Sequence, residues 1–174
     1  MKFSPLPLVG AWLIEPTPFH DARGFFSRTF CQTELASQNL VTTVNQCSVS
    51  FNHQRGTLRG MHYQVDPYPE VKIVRCSRGA VYDVIIDLRP DSPTFRQWTG
   101  VALTADNGLQ IYVPAGMAHG FLTLADGSEL YYQISEAYHP ECARGVRWND
   151  PTFAITWPDE VRVIADRDQQ WPNF

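Results

Sequence analysis

Residues 56–64, which read GTLRGMHYQ, place Arg59 and His62 among apolar residues. In a β-strand, alternate side chains point to opposite faces, so Arg59 is expected on one face and His62 on the other. Neither face is uniformly apolar, which predicts a strand that presents His62 to a cavity. A histidine titrates near neutral pH and can act as a general base. A lone strand histidine is more often a hydrogen-bonded core residue, so this function depends on its neighbours.

A second histidine, His119, lies in residues 114–121, which read PAGMAHGF. This P-x-G-x-x-H pattern resembles the second motif of the cupins, small β-barrels of jelly-roll type. Metal-binding cupins supply H-x-H and a glutamate from the first motif, whereas the corresponding stretch here is His62-Tyr63-Gln64. Two histidines and a glutamine are a poor ligand set for zinc or iron. The sequence therefore predicts a cupin barrel with a cavity and no metal.

Length and composition limit the classes of protein that are compatible with the chain. A length of 174 residues with 44% hydrophobic and 18% charged residues fits one globular domain, residues 1–174. The net charge of −4 argues against nucleic acid as a partner. No signal peptide and no membrane span is predicted, and four scattered cysteines fit a reduced, cytoplasmic protein.

Short apolar runs separated by prolines and glycines predict an all-β sandwich or barrel. Residues 77–79 are predicted to form a hairpin turn between two of the strands, and residues 33–39 a short helix with Thr33 as its cap. The predicted strands cover residues 9–14, 40–50, 72–76, 80–88, 97–103, 109–113, 119–124 and 129–135.

Within the cupins, the chain resembles the dTDP-4-dehydrorhamnose 3,5-epimerase family. The resemblance extends in order over nearly the whole chain, so it is far more specific than one short motif. The matching segments are residues 21–26, 58–64, 72, 83–89, 92–95, 114–121, 132, 138–140, 145–151, 157–158 and 167–168.

The resemblance implies a function for each matching residue. His62 would be the catalytic base, Tyr132 the catalytic acid and Asp168 the carboxylate that orients the base. Lys72 would lie near the sugar ketone. The substrate would be contacted by Arg23 and Arg59 at its phosphates and also by Phe26, Gln46, His119 and Arg167.

These residue types fit the epimerisation of a nucleotide-linked 4-keto-6-deoxy sugar. The ketone acidifies the hydrogens on C3 and C5, and inversion needs a base on one face and a proton donor on the other. Neutral His62 can remove the proton, Lys72 can stabilise the enolate, and Tyr132 remains protonated at neutral pH. Arginines suit the diphosphate. No metal or redox cofactor is required.

Some alternatives remain open from the sequence. Tyr138 competes with Tyr132, and Asp166 competes with Asp168. The other candidate functions are an epimerase that inverts a single carbon, a metal-dependent cupin oxygenase or isomerase, a non-catalytic sugar-binding cupin and a 3,4-ketoisomerase.

The chain also departs from the family pattern in the part that faces the nucleotide. Arg28 and Ala143 replace acidic residues, and Gln46-Cys47-Ser48 replaces a Q-x-N stretch. The nucleotide base therefore stays open between dTDP, CDP and others. By resemblance, the protein is expected to be a homodimer in which each active site borrows residues from its partner.

Overall fold

The computed structural model describes all residues, 1–174, and is almost entirely β-structure. Fourteen strands and two short helices follow one another along the chain. The strands are β1 (Lys2–Pro5), β2 (Trp12–Glu15), β3 (Phe19–Asp21), β4 (Gly24–Phe26), β5 (Gln46–Asn52), β6 (Thr57–Gln64), β7 (Lys72–Arg78), β8 (Ala80–Asp87), β9 (Trp98–Thr104), β10 (Gln110–Val113), β11 (Met117–Thr123), β12 (Ser128–Ile134), β13 (Ala143–Gly145) and β14 (Val163–Ile164), and the helices are α1 (Gln32–Ser37) and α2 (Asp166–Gln169).

Two main sheets form the predicted cupin-type jelly-roll barrel. The first has six strands in the order β1-β2-β10-β7-β12-β5, and the second has the order β13-β6-β11-β8-β9 with β14 paired to β6. Almost all neighbours are antiparallel; β14 is parallel to β6. Strands β3 and β4 form a separate two-stranded hairpin.

The two sheets face each other across a core of twelve buried residues. Val74 and Leu130 of the first sheet pack there with Ile85 and Phe121 of the second. The outer face of the second sheet is also covered, since Val84 packs in a separate buried cluster with residues that follow β13. Strand β8 is therefore buried on both faces, so the alternation of its residues does not separate a buried from an exposed face.

Most predicted strands are confirmed, with shifted ends. The strand predicted at residues 9–14 begins only at Trp12, because Gly10 adopts a φ of 85° in a turn. The strand predicted at 40–50 is Gln46–Asn52. The predicted helix is Gln32–Ser37, and its N-cap is Cys31 rather than Thr33.

The hairpin predicted at residues 77–79 is wrong. Strands β7 and β8 are consecutive but belong to different sheets: β7 pairs with β10 and β12, and β8 pairs with β9 and β11. Gly79, with a φ of 73°, lies at the corner where the chain crosses between the sheets. A side chain at this position would meet Ser128 at 2.6 Å, so the close approach requires glycine.

Strands β1, β3, β4, β13 and β14 and helix α2 were not predicted, because each is short and lacks a clear hydrophobic period. No helix of the structure is both long and apolar enough to cross a membrane.

Candidate active site

A cavity of about 330 Å³ is lined by residues from strands of both sheets. Strand β6 provides Arg59 and His62 from one wall, and β12 provides Tyr132 from the other. The complete lining is Ser48, Val49, Ser50, Arg59, His62, Tyr63, Gln64, Glu70, Lys72, His119, Phe121, Tyr132, Ile134, Tyr138, Ala143, Arg144 and Arg167.

Arg59 and His62 line the same cavity, which corrects the expectation that they face opposite sides of β6. The register between β6 and β11 shifts by one residue: His119 lies opposite His62, but Phe121 lies opposite Arg59. Two residues of β6 are thus matched by one of β11, which is a β-bulge and re-aims the side chains beyond it. The regular alternation assumed from the sequence fails at this bulge.

Glycines on both strands make the bulge feasible. Gly60 has a φ of 137°, which side-chain-bearing residues rarely adopt. A Cβ on Gly60 would lie 2.5 Å from the Cα of Gly120, and a Cβ on Gly120 would lie 2.8 Å from the carbonyl oxygen of Arg59. The two backbones approach so closely that neither position has room for a side chain.

His62 forms a pair with Asp168 of helix α2. Nε2 of His62 lies 2.6 Å from Oδ1 of Asp168, and the side chain of Asp168 is almost fully buried. Because the carboxylate occupies Nε2, the bond favours the tautomer with a proton on Nε2 and a free lone pair on Nδ1. Nδ1 has no hydrogen-bond partner in the protein.

Asp168 is held in its ionised form. Burial raises the pKa of its carboxyl, but hydrogen bonds from His62, from the backbone N–H of Gly60 at 3.2 Å and from the indole of Trp171 at 3.3 Å outweigh this effect. The net pKa therefore lies below the ordinary aspartate value. An ionised carboxylate can stabilise the imidazolium that forms when His62 accepts a proton.

Tyr132 lies on the opposite wall and is only partly exposed. Burial raises the pKa of its phenol well above the ordinary value, and the negative charge of Asp83 raises it further. Arg59 opposes this shift without cancelling it. The phenol is therefore protonated at neutral pH and can donate a proton.

Lys72 pairs with Glu70, a residue that the sequence did not single out. Nζ of Lys72 lies 2.8 Å from Oε1 of Glu70, and each side chain is 11% exposed. Nζ also donates to the backbone carbonyl of His62 at 3.4 Å. The ammonium group is thus held beside the candidate base, where charge can develop on a bound ketone.

His119 forms a second histidine–carboxylate pair with Asp83, which the sequence also left without a role. The Nε2 to Oδ2 distance is 2.8 Å and both side chains are buried. Oδ1 of Asp83 has no hydrogen-bond partner. The His119 ring meets the Tyr132 ring edge to face, with centroids 6.0 Å apart, so this pair packs behind the candidate acid.

Two arginines are oriented toward the cavity by neighbouring side chains. Nε of Arg59 donates to the Asn52 side chain at 2.8 Å. The guanidinium of Arg167 lies 5.1 Å from the centroid of the Trp171 ring, a cation–π distance. Both can still present N–H groups to an anionic ligand.

Arg23, Phe26 and Gln46 do not line the cavity of this chain. Arg23 forms an ion pair with Asp21 in the β3–β4 hairpin, with its side chain 90% exposed, and Phe26 is 75% exposed. Gln46 is exposed and accepts a hydrogen bond from the backbone N–H of Tyr138. The three residues are therefore not part of the site that a single chain forms.

Gln64 has a different function from a metal ligand. Its amide nitrogen donates to the carbonyls of Tyr68 and Ala137, and its oxygen accepts from the N–H of His139 at 2.6 Å. The amide thus links two loops next to the cavity. Its oxygen already accepts a hydrogen bond, so Gln64 is poorly placed to act as a metal ligand. No three His, Cys, Asp or Glu side chains are grouped in a way that could hold a metal ion.

The positions of the side chains distinguish the candidate acid and carboxylate from their sequence competitors. Tyr138 lies at the exposed rim of the cavity, at 55% exposure. Tyr131 does not line the cavity, and its ring lies against Arg75. The carboxylate that contacts His62 is Asp168, while Asp166 lies in the first turn of the same helix and forms no ion pair.

The cavity brings together a histidine that contacts a buried aspartate, a protonated phenol, a buried ammonium and arginines. A base and an acid on opposite walls, with a cation near the base, fit proton removal next to a carbonyl and its return from the other face. Comparison with known proteins agrees with this chemistry. The sequence model described as dTDP-4-dehydrorhamnose 3,5-epimerase matches residues 5–174.

Individual relatives match over most of their length. The chain is 44% identical over 158 residues to a dTDP-4-dehydrorhamnose 3,5-epimerase of Escherichia coli, covering 87% of this chain and 82% of that protein. The crystal structure of such an epimerase from Bacillus anthracis, with TDP and PPi bound, superposes with a TM-score of 0.96 at 40% identity and 99% coverage of both chains. A 3'-monoepimerase from Streptomyces bikiniensis in complex with dTDP-quinovose gives a TM-score of 0.90 at 36% identity, covering 97% of this chain and 86% of that one.

Proposed function

This chain belongs to the dTDP-4-dehydrorhamnose 3,5-epimerase family and is a sugar-nucleotide epimerase, and we propose that it inverts C3 and C5 of dTDP-4-keto-6-deoxyglucose with His62 as the base and Tyr132 as the acid. The observation that carries this assignment is the placement of the His62–Asp168 pair and Tyr132 on facing walls of one cavity. Acid and base on opposite faces of a bound sugar are what inversion requires.

The first step is proton removal by Nδ1 of His62. The C–H bond next to the ketone breaks, its proton moves to Nδ1, and its electron pair forms the enolate. Ionised Asp168 holds the ring through Nε2 and stabilises the positive imidazolium. Lys72, held close to the His62 backbone, stabilises the negative charge on the ketone oxygen.

The second step is protonation of the same carbon from the opposite face by the Tyr132 phenol. The raised pKa keeps this phenol protonated throughout the working pH range, so the proton to be donated is present on it. Arg59 and Arg167 bind the diphosphate, whose oxygens their planar N–H groups match. All of these steps use side chains of the protein.

Deuterium incorporation tests the assignment. The purified protein is incubated with dTDP-4-keto-6-deoxyglucose in D₂O, and NMR follows deuterium at C3 and C5 and the appearance of dTDP-4-dehydrorhamnose. The wild-type protein incorporates deuterium at both carbons, and His62→Asn incorporates it at neither. Absence of exchange with the wild-type protein, or unchanged exchange with His62→Asn, would contradict the proposal.

Inversion at C3 alone is the second candidate, because a structural relative at 36% identity is a 3'-monoepimerase. The same side chains would serve this reaction, so the two candidates differ only in the carbon that exchanges. Deuterium at C3 without deuterium at C5 identifies the mono-epimerase.

We further propose that the protein is a homodimer in which the β3–β4 hairpin of one chain completes the site of the other. The hairpin exposes three phenylalanines and an arginine, and none of them packs in the core of its own chain: Phe19, Phe25, Phe26 and Arg23. Exposed apolar side chains grouped on one projection are typical of an interface. In the dimer, Arg23 would bind substrate phosphate and Phe26 would pack against the nucleotide.

Mixing two inactive variants tests this exchange. If Arg23 acts in the partner's site, a heterodimer of Arg23→Ala and His62→Asn chains has one site with both changes and one site with neither. Random reassociation then restores about a quarter of the wild-type sites. If Arg23 acts within its own chain, every site keeps one defect and the mixture stays inactive, which would refute the exchange.

A cytoplasmic location is proposed on the state of the cysteines. Cys31, Cys47, Cys76 and Cys142 are all free thiols, and none is paired in a disulfide. Free thiols persist in reducing compartments. Fractionation of the native host cells should recover the protein with the cytoplasmic enzymes; recovery from an extracellular or periplasmic fraction would refute this.

A further inference from the structure

Glu70 is the only carboxylate among the residues that line the cavity, and the positive side chains there are Arg59, Lys72, Arg144 and Arg167. A nucleotide sugar brings two negative phosphates into this space. A carboxylate near such a ligand costs binding energy unless it has a specific partner. The ion pair with Lys72 offsets part of this repulsion, and a hydrogen-bond donor on the ligand would offset more of it.

The geometry of Glu70 leaves one oxygen free. Oε1 lies 2.8 Å from Nζ of Lys72, and no other hydrogen bond from the protein reaches the carboxylate. The backbone beside it is fixed, because the N–H of Val71 donates to Oγ of Ser135 at 2.8 Å and the N–H of Ser135 donates to the carbonyl of Val71 at 3.0 Å. The cavity thus presents an ammonium donor and a free carboxylate acceptor side by side.

We propose that Glu70 accepts a hydrogen bond from the C3 hydroxyl of the sugar and is a specificity-determining residue for epimerisation at C3. The inference rests on the proposed function in one respect, the placement of Lys72 at the C4 ketone oxygen. The C3 hydroxyl is the only hydroxyl on a carbon next to that ketone, because C5 carries the methyl group and the ring oxygen. The adjacent donor and acceptor in the protein match adjacent oxygens in the substrate.

The match is closest after proton removal at C3. The C3–H bond breaks, its proton goes to His62, and its electron pair forms a C3–C4 double bond while the charge moves to the C4 oxygen. The C3 hydroxyl then lies in the same plane as that oxygen. Lys72 donates to the negative oxygen and Glu70 accepts from the hydroxyl, so the pair binds the enolate better than the ketone.

The enolate formed at C5 has no equivalent hydroxyl. Its double bond lies between C4 and C5, so Lys72 still contacts the C4 oxygen, whereas Glu70 gains no contact that the ground state lacks. Lys72 should therefore act equally on both carbons, and Glu70 should act on C3 alone.

The test compares deuterium incorporation at C3 and at C5 within one sample of dTDP-4-keto-6-deoxyglucose. Glu70→Ala should lower the ratio of C3 exchange to C5 exchange by about tenfold, the effect of losing a charged hydrogen-bond partner. Glu70→Gln keeps a neutral acceptor oxygen and should give an intermediate ratio. Lys72→Met should slow both carbons without changing the ratio, and Glu141→Gln, an exposed carboxylate outside the cavity lining, should change neither.

Exchange at C3 and at C5 is catalysed by the same enzyme molecules in each sample, so partial unfolding of a variant does not change the ratio. Equal slowing at both carbons in Glu70→Ala would overturn the proposal, because Glu70 would then act only by holding Lys72. Unchanged exchange at both carbons would overturn it as well. Failure of the proposed function itself is a separate result, since the wild-type protein would then show no exchange at either carbon.

Discussion

Asp168 lies 106 residues beyond His62 in the chain, yet its carboxylate contacts the histidine ring at 2.6 Å. Helix α2 has only four residues, and Asp168 is the one that it buries. The backbone N–H of Gly60 in β6 donates to the second carboxylate oxygen at 3.2 Å. The strand that carries the proposed base thus also anchors the carboxylate that contacts it, so the C-terminal segment contributes to the candidate site.

Asp168→Asn should reduce the rate of proton removal about 10²-fold or more, by analogy with loss of the orienting carboxylate in histidine-based enzymes. The amide can present N–H groups to Nε2, which favours a proton on Nδ1, where the base needs a lone pair. Deuterium incorporation at C3 and C5 measures the loss. Asp166→Asn on the same helix is the matched control and should keep the wild-type rate; equal losses in both variants would refute this role.

Gly60→Ala should destroy substrate binding and catalysis together. The substitution forces alanine to a φ of 137° and places its Cβ 2.5 Å from the Cα of Gly120. Straightening of the bulge would turn Arg59 and His62 to different faces, and the strain should cost about 3 kcal/mol of unfolding free energy. Urea denaturation and nucleotide binding measure the two effects.

A suitable control for Gly60→Ala is Gly127→Ala, since a Cβ on Gly127 comes no closer than 4.0 Å to Arg78 or Phe51 although its φ is also positive, at 63°. It also places alanine at a positive φ but leaves the bulge intact. Normal nucleotide binding by Gly60→Ala would show that the bulge does not set the direction of Arg59.

Asp87 should make stability depend on pH. Burial raises the pKa of its carboxyl, but hydrogen bonds from Arg89, Ser92 and Thr94 outweigh burial and hold the pKa well below the ordinary value. Because the folded pKa is depressed, this stabilisation is complete above the unfolded value of about 4 and is lost as the pH falls through the folded one.

At pH 7, Asp87→Asn should therefore lower the free energy of unfolding by about 3 kcal/mol, since it leaves Arg89 without its charged partner. The difference from the wild-type protein should shrink as the pH falls below about 4. Urea titrations at several pH values measure it, with the exposed Asp91→Asn as control. A difference that does not vary with pH would count against the ionised carboxylate as its source.

Much of the fold could be predicted from the sequence, because strands with clear apolar runs keep their pattern in any β-barrel. The direction of the chain at residues 77–79 could not be predicted from the sequence, because a glycine turn is compatible both with a hairpin and with a crossing between sheets. Only the partners of β7 and β8 distinguish the two. Hydrophobic patterning reports burial of a strand, and it carries little information about which strand lies beside it.

The candidate site, too, could be predicted from the sequence only in part. Resemblance to a family pointed to His62, Tyr132, Lys72 and Asp168, whereas alternation alone would have put Arg59 and His62 on opposite faces. The two glycines at positions 60 and 120 were the available signal for the bulge. Glu70 carried no signal of its own, because a glutamate two residues before a lysine is common on protein surfaces and only burial distinguishes this one.

Tyr132→Phe tests most directly the proposal that two different residues remove and return the proton. Substrate is incubated with this variant in D₂O, and NMR measures deuterium incorporation and inversion at each carbon in the same sample. We expect incorporation to continue through His62 while inversion falls about 10²-fold or more. Inversion that keeps the wild-type rate, or incorporation that is lost together with inversion, would contradict it.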